Sequence, residues 1–148
     1  MYRVLKGNGE KVADATYTAG SDMKRGMLVV KGATGEVDFP AAATDKNVFF
    51  VGGEFIATGV DGERDLPDYS SEFEDIADGD FVVVEKPVAG EEYFTDQTTG
   101  TFAVGQYANV GTAGKLVSTG TTASKFVVRA TDCKDCGTHA GIVVEILD

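Results

Sequence analysis

The stretch Asp78-Gly-Asp-Phe-Val-Val-Val-Glu-Lys-Pro-Val-Ala-Gly-Glu-Glu-Tyr-Phe-Thr-Asp-Gln97 carries the strongest structural signal in the chain. An Asp-Gly-Asp turn leads into four consecutive strand-favouring residues, Phe81 to Val84. Pro87 and Gly90 break the run, and a second extended segment follows from Glu92 to Thr95. The pattern predicts a central hairpin. Because Phe81 to Val84 are apolar at every position rather than at alternate ones, that strand is expected to be covered on both faces. The rest of the chain would then wrap around it as a closed or two-layered sheet.

Outward from this stretch, short strands recur. Residues 11–18 alternate as a half-buried strand does, and Ala19-Gly-Ser-Asp22 turns the chain. Met27-Leu-Val-Val-Lys31 and Glu36-Val-Asp-Phe39, joined by Gly32-Ala-Thr-Gly35 and ended by Pro40, predict a hairpin. Residues 47–51, 54–58, 101–110 (with Gly105 at a bulge or bend), 115–118, 125–130 and 141–147 supply the others. Such strands at intervals of roughly 8–12 residues, with glycine turns and no long helical period, predict an all-β fold. We expect a small barrel or two-layer sandwich of short antiparallel strands, with one long acidic loop. Residues 1–10 read as an N-terminal arm and residues 11–148 as a single β-domain, with 59–80 as the acidic excursion. The arm is either a frayed end or a segment that orders on a neighbouring subunit, with Val4 and Leu5 as its anchor.

Composition narrows the partners. A chain of 148 residues buries roughly two-thirds of its unfolded surface, enough for a core without metal or disulfide support. Its net charge of −11 repels phosphate backbones and anionic headgroups, so neither nucleic acid nor a membrane surface is an expected partner. No run of about 20 apolar residues could span a bilayer, and Met1 to Gly9 lacks the apolar core of a secretory signal.

Candidate chemistry is sparse. Cys133-Lys-Asp-Cys136 with His139 brings two thiols and an imidazole into a zinc-like spacing but lacks a fourth Cys or His; Asp132 or Asp135 could complete it. The alternative is a loop whose thiols are free or form one local bridge. Asp61 to Glu72 places carboxylates at calcium-loop positions, but Leu66 stands where the sharp turn needs glycine. No nucleophile-elbow serine accompanies His139, and no phosphate-binding glycine motif occurs. Glu91 and Glu92, adjacent on a strand, point to opposite faces and cannot act as a catalytic pair. These absences predict a non-enzymatic protein with no cofactor. One alternative is a glycan- or receptor-binding β-module of a virion fibre or cell surface, stacking sugars on Tyr69, Tyr93 or Tyr107.

Four segments together carry a family resemblance: Gly20-Ser-Asp-Met-Lys-Arg-Gly-Met-Leu-Val-Val, Ile76-Ala-Asp-Gly-Asp-Phe-Val-Val-Val-Glu, Gly90-Glu-Glu-Tyr-Phe-Thr-Asp-Gln and Gly141-Ile-Val-Val-Glu-Ile. In their layout the chain resembles the small β-barrel decoration, or cement, proteins of tailed-bacteriophage heads, from Ala19 to the carboxyl end. The CxxC loop and much of the acidic loop lie outside the resemblance. It implies a non-enzymatic virion structural protein on the capsid exterior, produced in the host cytoplasm. It further implies binding to the major capsid protein as a homo-oligomer, often a trimer, that clamps neighbouring capsomers.

Overall fold

The computed structural model describes residues 2–7, 13–42, 47–52, 75–111, 113–120, 123–134, 136 and 139–147. Among them are fourteen strands, numbered in chain order, and no helix. The fold is all-β. Strands β2 (Ala13–Ala19), β5 (Glu36–Asp38), β4 (Leu28–Lys31), β6 (Val48–Val51) and β8 (Phe81–Glu85) close in that order into a barrel. A seven-stranded sheet has the order β1 (Tyr2–Lys6), β9 (Glu92–Thr95), β14 (Ile142–Ile146), β13 (Phe126–Ala130), β11 (Tyr107–Val110), β12 (Leu116–Gly120), β10 (Thr98–Thr99). Strands β3 (Met23–Lys24) and β7 (Asp75–Ile76) form a small antiparallel ribbon. Pairing is antiparallel except for β2 with β5 and β10 with β12, two parallel contacts that an all-antiparallel expectation omitted.

Alternation along two strands explains how barrel and sheet join. Val29 on β4 and Phe49 and Val51 on β6 face the barrel interior, with Val37, Val82 and Val84. Their neighbours Leu28, Val48 and Phe50 point the other way, into a core shared with Tyr93, Phe126, Val128 and Val144 of the sheet. All four residues of β6 are buried. The strand covered on both faces is therefore β6, not β8, where Val82 and Val84 enter the barrel but Phe81 is 78% exposed.

The expected hairpin between residues 81–84 and 92–95 is also corrected. Strand β8 pairs with β2 and β6, whereas β9 pairs with β1 and β14. Both edges of each strand are occupied, so residues 86–91 carry the chain from barrel to sheet. Their turn is closed by Glu91 N–H donating to Val88 O at 3.1 Å, with Gly90 at φ 83°. It is anchored to β14 by Gly90 N–H on Ile146 O at 2.8 Å and Ile146 N–H on Glu91 O at 3.0 Å. The β4–β5 hairpin forms where expected, with Val30 opposite Asp38 and Lys31 opposite Val37.

Two close approaches fix the junction. Leu28 N–H donates to Gly114 O across 2.6 Å, and a Cβ on Gly114 would come within 2.7 Å of the Phe39 ring. At the end of β6, a Cβ on Gly52 would lie 2.6 Å from the Glu85 carboxyl carbon. Of the acidic excursion, residues 75–80 are described, and Lys24 pairs with Asp75 at 2.9 Å. The strand expected at 54–58 falls outside the described residues.

Candidate functional site

The expected N-terminal arm is strand β1, an edge of the seven-stranded sheet in its own chain. Tyr2 lies opposite Thr95, Arg3 opposite Phe94 and Val4 opposite Tyr93. Lys6 then pairs with Glu92, so Leu5 is the extra residue of a bulge. Val4 packs against the main core, while Leu5 is 40% exposed. The two expected anchors thus divide: Val4 belongs to the fold, and Leu5, between Val4 and Lys6 in sequence, is exposed. Across the neighbouring strands, Lys6 pairs with Glu92 at 3.5 Å, Glu92 stands opposite Glu145, and Glu145 accepts from Arg129. Each of the facing like charges is thereby offset by a cation.

Where sheet and barrel meet, two buried tyrosines hold two buried carboxylates. Tyr2 Oη donates to Glu85 Oε2 at 2.9 Å, and Tyr93 Oη donates to Glu91 Oε2. Tyr2 and Tyr93 stack at 5.8 Å between centroids, and both rings contact Phe50. Burial, reinforced by the Glu85 carboxylate and its hydrogen bond, pushes the Tyr2 phenol far above its ordinary range. Burial and then the bond to Glu91 do the same to Tyr93. These carboxylates accept hydrogen bonds inside the fold, with Glu91 1% exposed and Glu85 8%. Sequence reasoning missed the cluster because an acidic residue after an apolar run reads as a strand end facing solvent.

At the barrel, Lys31 Nζ lies 2.7 Å from Asp14 Oδ2 and 4.7 Å from the centroids of Tyr17 and Phe49. The Lys31 hydrogen bond, followed by the Thr16 hydroxyl and amide, lowers the Asp14 carboxyl to about 2. Beside the β3–β7 ribbon, a groove of about 500 Å³ is lined by Met23, Met27 and Ile76 with Asp22, Asp75 and Asp80. Among the described residues that line it there is no Ser, Cys or His.

The Cys133 and Cys136 sulfurs form a disulfide, so in this state neither is a thiolate ligand for zinc. His139 Nδ1 faces Asp96 Oδ2 at 2.9 Å, and Asp96 Oδ1 accepts from Gln97 Nε2 at 2.7 Å. No group of three or more His, Cys, Asp or Glu side chains converges as a metal site among the described residues. The calcium-like segment from Asp61 to Glu72 lies outside them, as does Tyr69. Tyr93 is 1% exposed and cannot serve as a sugar-stacking platform; Tyr107 is half-buried. No helix among the described residues is long and apolar enough to cross a membrane.

Among the described residues, the exposed large apolar side chains are Leu5 on the bulged β1 edge, next to Lys6, and Phe81, Val104 and Leu147 elsewhere. No protein-family model matches the chain, and no curated protein sequence matches it.

Proposed function

We propose that the protein is a non-enzymatic structural protein of a bacteriophage virion that decorates the head and bridges neighbouring capsomers. The observation that carries this reading is the exposed Leu5 on the β1 bulge, flanked by Arg3 and Lys6. It is an apolar contact point with positive neighbours, rigidly mounted on a sheet, in a chain of net charge −11. Support comes also from the chemistry around it: the buried carboxylates Glu85 and Glu91 are bound by tyrosines, which suits a load-bearing fold better than a reacting centre. Many modest contacts of this kind, repeated over a lattice, resist separation through multivalency. The proposed partner is the major capsid protein, and the proposed working form is a homo-oligomer, with a trimer at a symmetry axis the expected geometry.

The test is cosedimentation with purified heads. Removing residues 1–9 outright would strip Tyr2 and Val4 from the core, so the informative variant is Leu5→Glu, which leaves both in place. The wild-type chain should bind heads, and Leu5→Glu should lose at least about tenfold in occupancy at unchanged melting temperature, as removal of a central apolar anchor does. No binding of the wild-type chain to any head lattice, or full retention of Leu5→Glu, would sink the reading.

A further inference from the structure

Of the connection between β13 and β14, Cys133 and Cys136 lie against the face of the seven-stranded sheet opposite to the one that carries Tyr93 and Val144. There Phe94 and Val143, neighbours in register on β9 and β14, form a separate apolar cluster with Cys136, with Ala130 and Cys133 against it. Phe94 and Cys136 are fully buried. The sequence from Thr131 to Ala140 is Thr-Asp-Cys-Lys-Asp-Cys-Gly-Thr-His-Ala, with no Val, Leu, Ile, Phe, Tyr or Trp to anchor it. The disulfide is both its apolar plug and the closure of its turn, in which Cys136 N–H reaches Cys133 O at 3.3 Å. The His139–Asp96 contact pins the far end. A short cross-linked ring restricts the open ensemble of such a loop, and a loop with few apolar contacts has low local stability once the ring is cut.

The two cysteines differ in exposure: Cys133 is half-buried, whereas Cys136 is 0% exposed. We propose that this bridge is a thiol-sensitive latch, opened at Cys133 by a low-molecular-weight thiol, that holds the β13–β14 connection over Phe94 and Val143. The thiolate attacks Cys133 Sγ, forming a mixed disulfide there. The Cys133–Cys136 bond breaks, and its electron pair leaves on Cys136 Sγ, which takes up a proton. A second thiolate attacks the sulfur of the first thiol in the mixed disulfide and releases Cys133 as a thiolate, which is then protonated. The bridge has been reduced by two electrons and the two small thiols oxidised to their disulfide. Reoxidation by a small-molecule disulfide reverses both steps. The inference stands on the loop alone and does not require the capsid reading.

The full-length oxidised protein is exposed briefly to reduced glutathione, quenched with acid and mapped by peptide mass spectrometry. The expected adduct is glutathione on Cys133; an adduct on Cys136, or equal labelling of both, overturns the attack geometry. Hydrogen exchange is then compared between oxidised protein, protein fully reduced with dithiothreitol, and Cys133→Ala/Cys136→Ala. Reduction should accelerate exchange across residues 131–141 on the order of tenfold, with the far-ultraviolet β spectrum retained, and the double variant should match it without any thiol. Unchanged exchange in either sample overturns the latch. So does loss of the whole sheet on reduction, because the bridge would then be a staple of the fold rather than a latch on one loop.

Discussion

At the scale of single residues, the polar groups that matter are those at the seam. Replacing Tyr2 with Phe keeps the ring against Phe50 but removes a donor from the buried Glu85 carboxylate. The expected loss is about 1–3 kcal/mol in chemical denaturation, larger than for a neutral hydrogen bond. The same tyrosine makes the protein sensitive to alkali. With the folded-state pKa of Tyr2 and Tyr93 raised above the ordinary tyrosine value of 10.0, their contribution is fully present below that pH. It is lost as pH rises beyond it, because the unfolded chain ionises first. Tyrosinate absorbance should therefore show two phenols that titrate only together with unfolding, and Tyr2→Phe should remove one of them. Asp14 acts at the other end of the scale. Its pKa is lowered to about 2, so its contribution is present above 3.8 and fades as pH falls toward about 2. Asp14→Asn should flatten the pH dependence of the melting temperature across that window.

Strands show which local signals survive the passage to three dimensions. The β4–β5 hairpin was legible because its turn, Gly32 to Gly35, is next to both partners, and Gly35 adopts φ 88°. The pairing of β8 was not, because the partners of Val82 and Val84 lie on β2 and β6, far away in sequence. A run of four apolar residues also does not say which of them is covered: Phe81 shares the β propensity of Val82 but ends at the barrel mouth. β6 is the strand whose loss the fold cannot absorb. Phe50→Ala should cost about 3–5 kcal/mol, since the ring contacts Tyr2, Tyr93 and Phe126. Phe81→Ser should stay within about 0.5 kcal/mol of wild type. A Phe81→Ser loss as large as that of Phe50→Ala would show that β8 is the doubly covered strand after all. The site was less legible than the strands: Leu5 is the extra residue of a bulge, and no glycine stands at that position to mark it.

For the whole molecule, barrel and sheet are not independent bodies, because β4 and β6 give alternate side chains to each core. Unfolding should therefore be one transition, with calorimetric and van't Hoff enthalpies equal. Val29→Ala in the barrel and Val128→Ala in the sheet should lower the same midpoint rather than split it. On the proposed capsid reading, binding to heads should show an ionic-strength dependence that weakens in Lys6→Gln.

The junction of two cores has a further consequence for how the chain finds its alignment. Sliding β6 by one residue would exchange Val48 and Phe50 with Phe49 and Val51, and hydrophobicity would hardly object, since both faces want apolar groups. Discrimination must come from shape, and Gly52 supplies it. In the native alignment the backbone of Gly52 fits against Glu85, whose side chain occupies the space a Cβ would need. A slip that brought Val51 into this place would drive an isopropyl group into a carboxylate already tethered to Tyr2. One missing methyl group thus acts as the reading-frame mark for a strand buried along its whole length.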